Sequence, residues 1–569
     1  MRGSAVVRIR IITGCVLALA LILVVRLYHI QIAHGSTYRE LAERQYVHTV
    51  RDFFNRGSIY FTTRHGETVS AATVKAGFLL ALNPSVVEDP GGLYTALSAV
   101  VPLEREEFIR RAENKESTYY EAAEALTREQ SAAVEALDLA GVSLHRDQWR
   151  YYPGDALAAQ TIGFVAYDGD DLAGRYGLER YYEDTLAREE DRLSVNFFAE
   201  IFSNIENVVF DTKRMRAGDV VTSIEPTVAR TLEAELAAVQ EKWQSRVSGG
   251  VIINPQTGDI YALGVYPNFD LNDRSEVGIE QFRNPLVENV YEMGSIIKPL
   301  TMAAGLDAGA IVPSSTYYDA GHIDLDGYTI RNFDGRGRGM VPMQEVLSQS
   351  LNTGVAWITE QMGTKRLGEY FRALGFGSET GIDLPNETYG LISNLESPRK
   401  VEYATASFGQ GIAMTPIETA RALATLANGG VLVTPHIGQK IMYEDGGVHE
   451  ISFPDDGRVF SEQAVEETTR MLVEVVDSAL AGGGHKLEHH TVAAKTGTAQ
   501  IANPAGGGYY DDRFLHSFFG YFPAYDPQFL VFLYTVEPRE VRYASETLTD
   551  PFMNITRFLI NYYDLPPDR

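Results

Sequence analysis

The 569-residue sequence is 45% hydrophobic, 22% charged and 11% aromatic, with 51 Gly, 23 Pro and a single Cys. Ample apolar side chain and no cysteine framework exclude a disordered, collagenous or disulfide-scaffold protein, and at roughly 100 to 200 residues per domain predict two to four domains. The 76 acidic residues against 49 basic ones give a net charge of −27, which argues against nucleic acid as a partner.

The start of the chain departs from this balance, because Arg2, Arg8 and Arg10 precede the first carboxylate, Glu40. After them runs the uncharged segment Ile11 to Val25, IITGCVLALALILVV. Its 15 residues at about 1.5 Å each fall short of a hydrocarbon core of roughly 30 Å, so the expected span continues past Arg26, whose stem can snorkel, with Tyr28 near the headgroups. The run ends in Arg, Leu and Tyr rather than small residues, which favours an uncleaved anchor over a signal peptide. Cys15 lies before most of the apolar run, a poor position for lipidation. The basic flank predicts residues 1–10 in the cytoplasm, a transmembrane helix over 11–30 and the remaining chain outside. An exported body without cysteine needs no oxidative folding, so burial must stabilise it.

Residues 35–45 read as a short polar helix, and 47–71 alternate like strands broken by glycine. From Pro84 to Leu139 apolar residues recur at three- and four-residue steps among acidic ones, which predicts helices with a hydrated face. Residues 149–186 combine turns with a helical end, and the stretch to Arg216 is irregular. A strand and a capped helix then begin, placing a boundary near Arg216 to Asp219 and dividing the exported part into 31–217 and 218–569. VIINPQTGDIYALGV reads as a hairpin joined at Pro255 to Gly258. Near the other end HTVAAKTGTAQ, HSFFGYFPAYDP and QFLVFLYTVEP read as three strands, followed by the helix DPFMNITRFLINYYDL. Strands at both ends with helices between them predict one α+β domain whose antiparallel sheet is closed by its two ends.

Three short motifs fall inside this domain. In the first, Ser295-Ile-Ile-Lys298, Pro299 belongs in the opening turn of a helix, which puts Ser295 near the helix N-terminus and returns Lys298 to the same face. The pair can act as nucleophile and base. A neutral amine requires desolvation or a neighbouring cation, and Lys495 is the candidate cation. In the second, Ser350-Leu-Asn352, the serine can relay a proton and Asn352 can bind a peptide bond. In the third, Lys495-Thr496-Gly497-Thr498, the lysine and both threonine hydroxyls can hold a terminal carboxylate, and Gly497 on a strand allows a substrate backbone to lie close. The amides of Ser295 and Thr498 are then the expected oxyanion donors. S-x-x-K or S-x-N alone arises by chance in a chain of this length. What singles them out is their order, the 55-residue step from Ser295 to Ser350, and a closing K-T-G-T on a strand.

With these motifs the chain resembles a class B penicillin-binding protein, a monofunctional peptidoglycan D,D-transpeptidase. The likeness extends through RLYHIQIAHGSTYRELAERQ, RGSIYFTTRHGETVSA, the 151–179 stretch, GDIYALGVYPNFDLND, RNPLVENVYEMGSIIKP, SFGQGIAMTPIETARALATLANGG and AAKTGTAQ. It implies a transmembrane helix, an elongated α+β pedestal over 31–217, and a transpeptidase domain over 218–569 with a five-stranded antiparallel sheet flanked by helices. It also implies that Ser295 attacks the D-Ala-D-Ala bond of a stem peptide and passes the acyl group to an amine on a neighbouring stem. Lys298 serves as base, Ser350 and Asn352 as relay and binder, and Lys495 to Thr498 as carboxylate and oxyanion site. β-Lactams would be inhibitors, a polytopic membrane glycosyltransferase the partner, and no metal or organic cofactor is needed. One departure is visible: Tyr60 to Arg64 lacks the acid of the family's R-G-x-I-x-D-R-x-G motif, which puts pedestal contacts in question.

The same motifs also support transfer to water, as in a D,D-carboxypeptidase or serine β-lactamase, but the anchor and pedestal argue against both. Intact motifs disfavour an idle scaffold or sensor, and the absence of a recognisable glycosyltransferase signature disfavours a bifunctional synthase. His485, Glu488, His489 and His490 read as a solvated loop rather than a zinc site, since adjacent histidines on a strand face opposite ways.

Overall fold

The computed structural model describes residues 55–168, 171–188, 217–503, 505 and 507–569. The expected tail, anchor and polar helix over 35–45 lie outside the described residues, among which no helix is long and apolar enough to cross a membrane. The chain divides into two compact units. Of the described residues, the first contains Lys75–Trp149 and the second Arg56–Val74, Arg150–Arg188 and 217–569.

The N-terminal elements are β1 (Ile59–Thr62), β2 (Thr68–Leu82), α1 (Pro90–Ser98), α2 (Arg105–Ala112), β3 (Tyr120–Leu126), α3 (Arg128–Glu135) and β4 (Val142–Tyr151). In the first unit each helix starts on a side-chain cap. Asp89 accepts from the Gly92 amide, Glu104 from Glu106 and Glu107, and Thr127 forms a reciprocal capping box with Gln130. The apolar stripes meet in a core of Leu93, Leu97, Phe108 and Val134 packed on Leu80, Leu82 and Leu126. The sequence predicts helix through YEAAEAL, yet these residues form β3, pairing Phe78 with Leu126, Leu80 with Ala123 and Leu82 with Tyr120. Helix preference of Ala and Glu amounts to tenths of a kcal/mol per residue, and the open hydrogen-bonding edge of β2 outweighs it. Ala125 at φ 58° ends the strand and the capping box restarts the helix.

The second unit continues with β5 (Gly218–Thr222), α4 (Pro226–Trp243), the hairpin β6 (Val247–Ile253) and β7 (Ile260–Tyr266), α5 (Lys298–Asp307), α6 (Asn352–Met362), β8 (Gly438–Tyr443), α7 (Glu462–Glu474), β9 (Ala493–Ala502), β10 (Tyr509–Phe522), β11 (Phe529–Val536) and α8 (Thr549–Tyr562). Five of these strands form one antiparallel sheet in the order β9-β10-β11-β6-β7. The early hairpin therefore joins the late strands, and β9 is left at an edge. Every residue of β11 is buried, as a strand covered on both faces requires. Side-chain alternation along β10 serves the two faces separately. Phe518 stacks on Phe552 of α8 at 4.4 Å, while the Tyr521 hydroxyl meets Thr469 of α7 at 2.8 Å.

The departure at Tyr60 to Arg64 is accommodated by hydroxyl groups. β1 runs parallel to β5, Thr62 Oγ1 donates to the Thr222 carbonyl at 2.6 Å, and Thr222 Oγ1 donates to the Tyr60 carbonyl at 2.9 Å. Arg64 lies 4.9 Å over the Tyr562 ring. Just before β1, Arg56 bonds Glu179 at 2.7 Å and Glu183 at 2.6 Å, and Arg150 takes the other oxygen of Glu179 at 2.6 Å. Glu179 is wholly buried, so its charge depends on these two guanidiniums.

Glu179→Ala leaves both arginines buried without their shared carboxylate. The expected cost is about 3 to 5 kcal/mol, read as a lowered thermal denaturation midpoint. Glu183→Ala, at a side chain 30% exposed, costs clearly less.

Candidate active site

Ser295 lies in a 3-10 turn, Gly294–Ile297, that runs directly into α5, with Pro299 in the first helical turn. The turn packs closely against β9. A Cβ built on Gly294, which has φ +67°, would stand 2.8 Å from the Thr498 carbonyl oxygen. From the strand side, a Cβ on Gly497 would stand 2.3 Å from Ser517 Oγ and 2.8 Å from the Met293 carbonyl oxygen. Ser517 Oγ itself donates to that Met293 carbonyl at 2.8 Å. The missing side chain of Gly497 makes room for the serine turn.

Lys298 is fully buried, and its amine donates to the Ser350 carbonyl at 2.6 Å and to Ser350 Oγ at 3.1 Å. Burial holds its pKa well below the ordinary 10.5, and the neighbouring Lys495 cation pushes it further the same way. In the neutral amine two N–H groups engage Ser350 and a lone pair remains. Lys495 is itself buried, which lowers its pKa to about 8, and it donates to the Thr496 carbonyl at 3.1 Å.

Ser350 owes its position to a helix ending. The helix Met343–Ser348 closes with the Leu351 amide on the Val346 carbonyl at 2.9 Å, and Ser350 takes the left-handed position at φ 54° that glycine usually fills. This costs on the order of 1 kcal/mol and aims both the carbonyl and the hydroxyl of Ser350 at Lys298.

Asn352 opens α6 and donates through Nδ2 to the Arg331 carbonyl at 2.9 Å, which orients its Oδ1 as the free acceptor. The Arg331–Asn332 backbone is held by a buried polar cluster. Asp319 accepts from Asn332 Nδ2 at 2.9 Å and from Thr353 Oγ1 at 2.9 Å, while Asn332 Oδ1 takes the Thr353 amide at 3.3 Å. Asp319 and Asn332 are 1% and 3% exposed. None of the three stood out in the sequence, because each is an ordinary polar residue whose partner lies 13 to 34 positions away.

These groups share one groove of about 720 Å³, lined by Ser295, Ser350, Asn352, Lys495, Thr496 and Thr498 among others. Thr496 and Thr498 point into it from alternate positions of β9, and Thr498 Oγ1 accepts from the Ala544 amide at 3.1 Å, leaving its O–H to donate. Sequence reasoning left the S-F-G-Q-G segment without a role, although its two closely spaced glycines marked a special backbone. Phe408 and Gln410 line the groove, and the Gly409 carbonyl accepts from the Gly294 amide at 3.0 Å. His485, Glu488, His489 and His490 occupy a loop, where His490 meets the Leu565 carbonyl at 3.2 Å.

Residues 249–556 match the family described as penicillin binding protein transpeptidase domain, and residues 54–214 match the penicillin-binding protein dimerisation domain. The chain is 30% identical over 548 residues to stage V sporulation protein D of Bacillus subtilis, covering 94% of this chain and 83% of that one. It is 27% identical over 556 residues to the probable peptidoglycan D,D-transpeptidase PenA of Neisseria meningitidis, covering 96% and 91%. Penicillin binding protein 3 from Mycobacterium tuberculosis superposes with a TM-score of 0.65 at 25% identity over 74% of this chain and 92% of that one. Penicillin binding protein 2X from Streptococcus thermophilus shares the fold with a TM-score of 0.70 at 19% identity, covering 90% and 80%.

Asp319→Ala removes the acceptor of three buried donors, Asn332 Nδ2, Thr353 Oγ1 and the Gly321 amide, and the expected loss is about 2 to 4 kcal/mol in denaturation experiments. Asp319→Asn, which keeps the shape and one carbonyl oxygen, is expected to recover part of that loss.

Proposed function

The chain belongs to the class B penicillin-binding proteins, the monofunctional peptidoglycan D,D-transpeptidases that cross-link cell wall, and from that premise we propose how its groove performs the reaction. Neutral Lys298 takes the proton of Ser295 Oγ as that oxygen attacks the carbonyl carbon of the penultimate D-Ala. The amides of Ser295 and Thr498 hold the resulting oxyanion. Ser350, bonded to Lys298, relays the proton to the departing D-Ala nitrogen, the C–N bond breaks and a serine ester forms. An amine of a neighbouring stem then attacks that ester, loses its proton along the same path and restores Ser295 Oγ–H. Lys495 and the hydroxyls of Thr496 and Thr498 grip the terminal carboxylate, and Asn352 Oδ1 accepts an N–H of the donor peptide.

The observation that carries this reading is the buried Lys298 amine, beside Lys495 and bonded to Ser350, which lines the same groove as Ser295. A β-lactam would occupy the same groove as a D-Ala-D-Ala mimic. We assign residues 31–217 to the non-catalytic pedestal and 218–569 to the transpeptidase domain. Residues 11–30 anchor the chain in the bacterial plasma membrane with its catalytic body outside, and a polytopic glycosyltransferase partner supplies the glycan strands.

Ser295→Ala is expected to abolish labelling by a fluorescent penicillin, and Lys298→Gln to slow it at least about a hundredfold. Labelling of the Ser295→Ala protein would refute the nucleophile. With a stem-peptide donor the pH profile of kcat/KM should be bell-shaped. Activity falls as pH drops, because protonating Lys298 removes its lone pair. It falls again as pH rises through about 8, where Lys495 loses the charge that grips the carboxylate. Lys495→Arg, a cation at every accessible pH, should move the alkaline limb upward whatever it does to the maximum rate. Supplying an amine acceptor should yield cross-linked product; hydrolysis alone would mark a carboxypeptidase.

A further inference from the structure

The groove runs against the charge of the protein. The chain carries 76 acidic and 49 basic residues, yet among the described residues no Asp or Glu lines the groove, whereas Arg331, Lys495 and Arg542 do. Lys495 is buried in the strand wall and serves the terminal carboxylate. Arg331 and Arg542 are exposed, and neither forms an ion pair among the described residues. Their backbones are fixed at the groove. The Arg331 carbonyl is bonded by Asn352 at 2.9 Å, which fixes Arg331 on the Ser350–Asn352 side. The Arg542 carbonyl is bonded by buried His516 Nε2 at 3.1 Å, and Ala544, two residues on, donates to Thr498 at 3.1 Å, which fixes Arg542 on the β9 side. The two sides meet where Phe333 and Tyr543 pack edge to face at 6.0 Å, and the Arg542 guanidinium lies 5.6 Å over the Tyr543 ring.

The placement also says which part of a peptide arrives there. A donor with its terminal carboxylate at Lys495 and Thr496 and its scissile carbonyl at Thr498 sends its upstream residues toward Gln500. The segment after β11 reaches β9 beside that stretch: Ala544 bonds Thr498, and Arg542 lines the groove together with Gln500. We propose that Arg331 and Arg542 form an anion subsite for a side-chain carboxylate of the donor peptide upstream of the scissile bond. The protein then prefers a stem peptide whose third residue is a diamino acid bearing a free carboxylate over one in which that group is amidated or missing. This inference rests on the transpeptidase reading. It adds a second carboxylate contact, separate from the terminal one at Lys495.

The test compares acylation of the full-length protein by two synthetic pentapeptide donors ending in D-Ala-D-Ala, identical except that the third residue carries a free carboxylate or its amide. The readout is the ratio of the two rates within each protein. In the unmodified protein the free carboxylate should be favoured about tenfold, the scale of a charge-assisted contact at a partly exposed site, and less so at high salt. In the Arg331→Gln/Arg542→Gln double variant the ratio should fall toward one, with each single variant between. A ratio near one in the unmodified protein, or one undiminished in the double variant, would overturn the subsite while leaving the transpeptidase assignment in place. A protein labelled by penicillin but acylated by neither donor would overturn both.

Discussion

The site depends on how closely a short turn can approach the edge of a sheet. Ser295 is carried beside Lys495 and Thr498 because Gly294 and Gly497 each lack a Cβ where the two backbones pass, and because Ser517 bonds the Met293 carbonyl across the gap. A methyl group on either glycine would meet backbone at 2.8 Å, nearer than real Cβ contacts allow, so the serine would have to retreat from the strand. Distances at a reacting centre tolerate little of that movement.

Once the turn is seated, electrostatics follow from burial. Lys495 lines the groove and Lys298 is buried behind Ser350; desolvation lowers both, with Lys298 lowered further by Lys495. One group can then accept a proton while its neighbour remains a cation. Ser350 completes the pair at the cost of a strained left-handed backbone, which the helix ending before it maintains. β9 lies at an edge of its sheet, and an edge strand keeps N–H and C=O groups that can hold an extended peptide.

The exclusion of carboxylates from the groove is a feature of placement rather than of composition. Buried acidic side chains are turned to structural work: Asp319 holds the Asn332–Thr353 cluster, and Glu179 holds Arg56 and Arg150. The cations that remain in the groove are therefore those able to meet an anionic ligand.

The sequence by itself marked the candidate residues and the five strands of the sheet. Apolar runs separated by turn residues marked the strands, Pro299 marked the helix start behind Ser295, and the Ser295, Ser350 and Lys495 motifs marked residues that line one groove. Such signals are local, written in the spacing and backbone limits of neighbouring residues. Tertiary structure alone decided that YEAAEAL becomes β3 on the open edge of β2, that Gly497 makes room for the serine turn, and that Asp319, Asn332 and Thr353 belong together. These depend on contacts between residues far apart in sequence. Buried polar atoms must find partners wherever the fold brings them, and no local pattern records which partner that is.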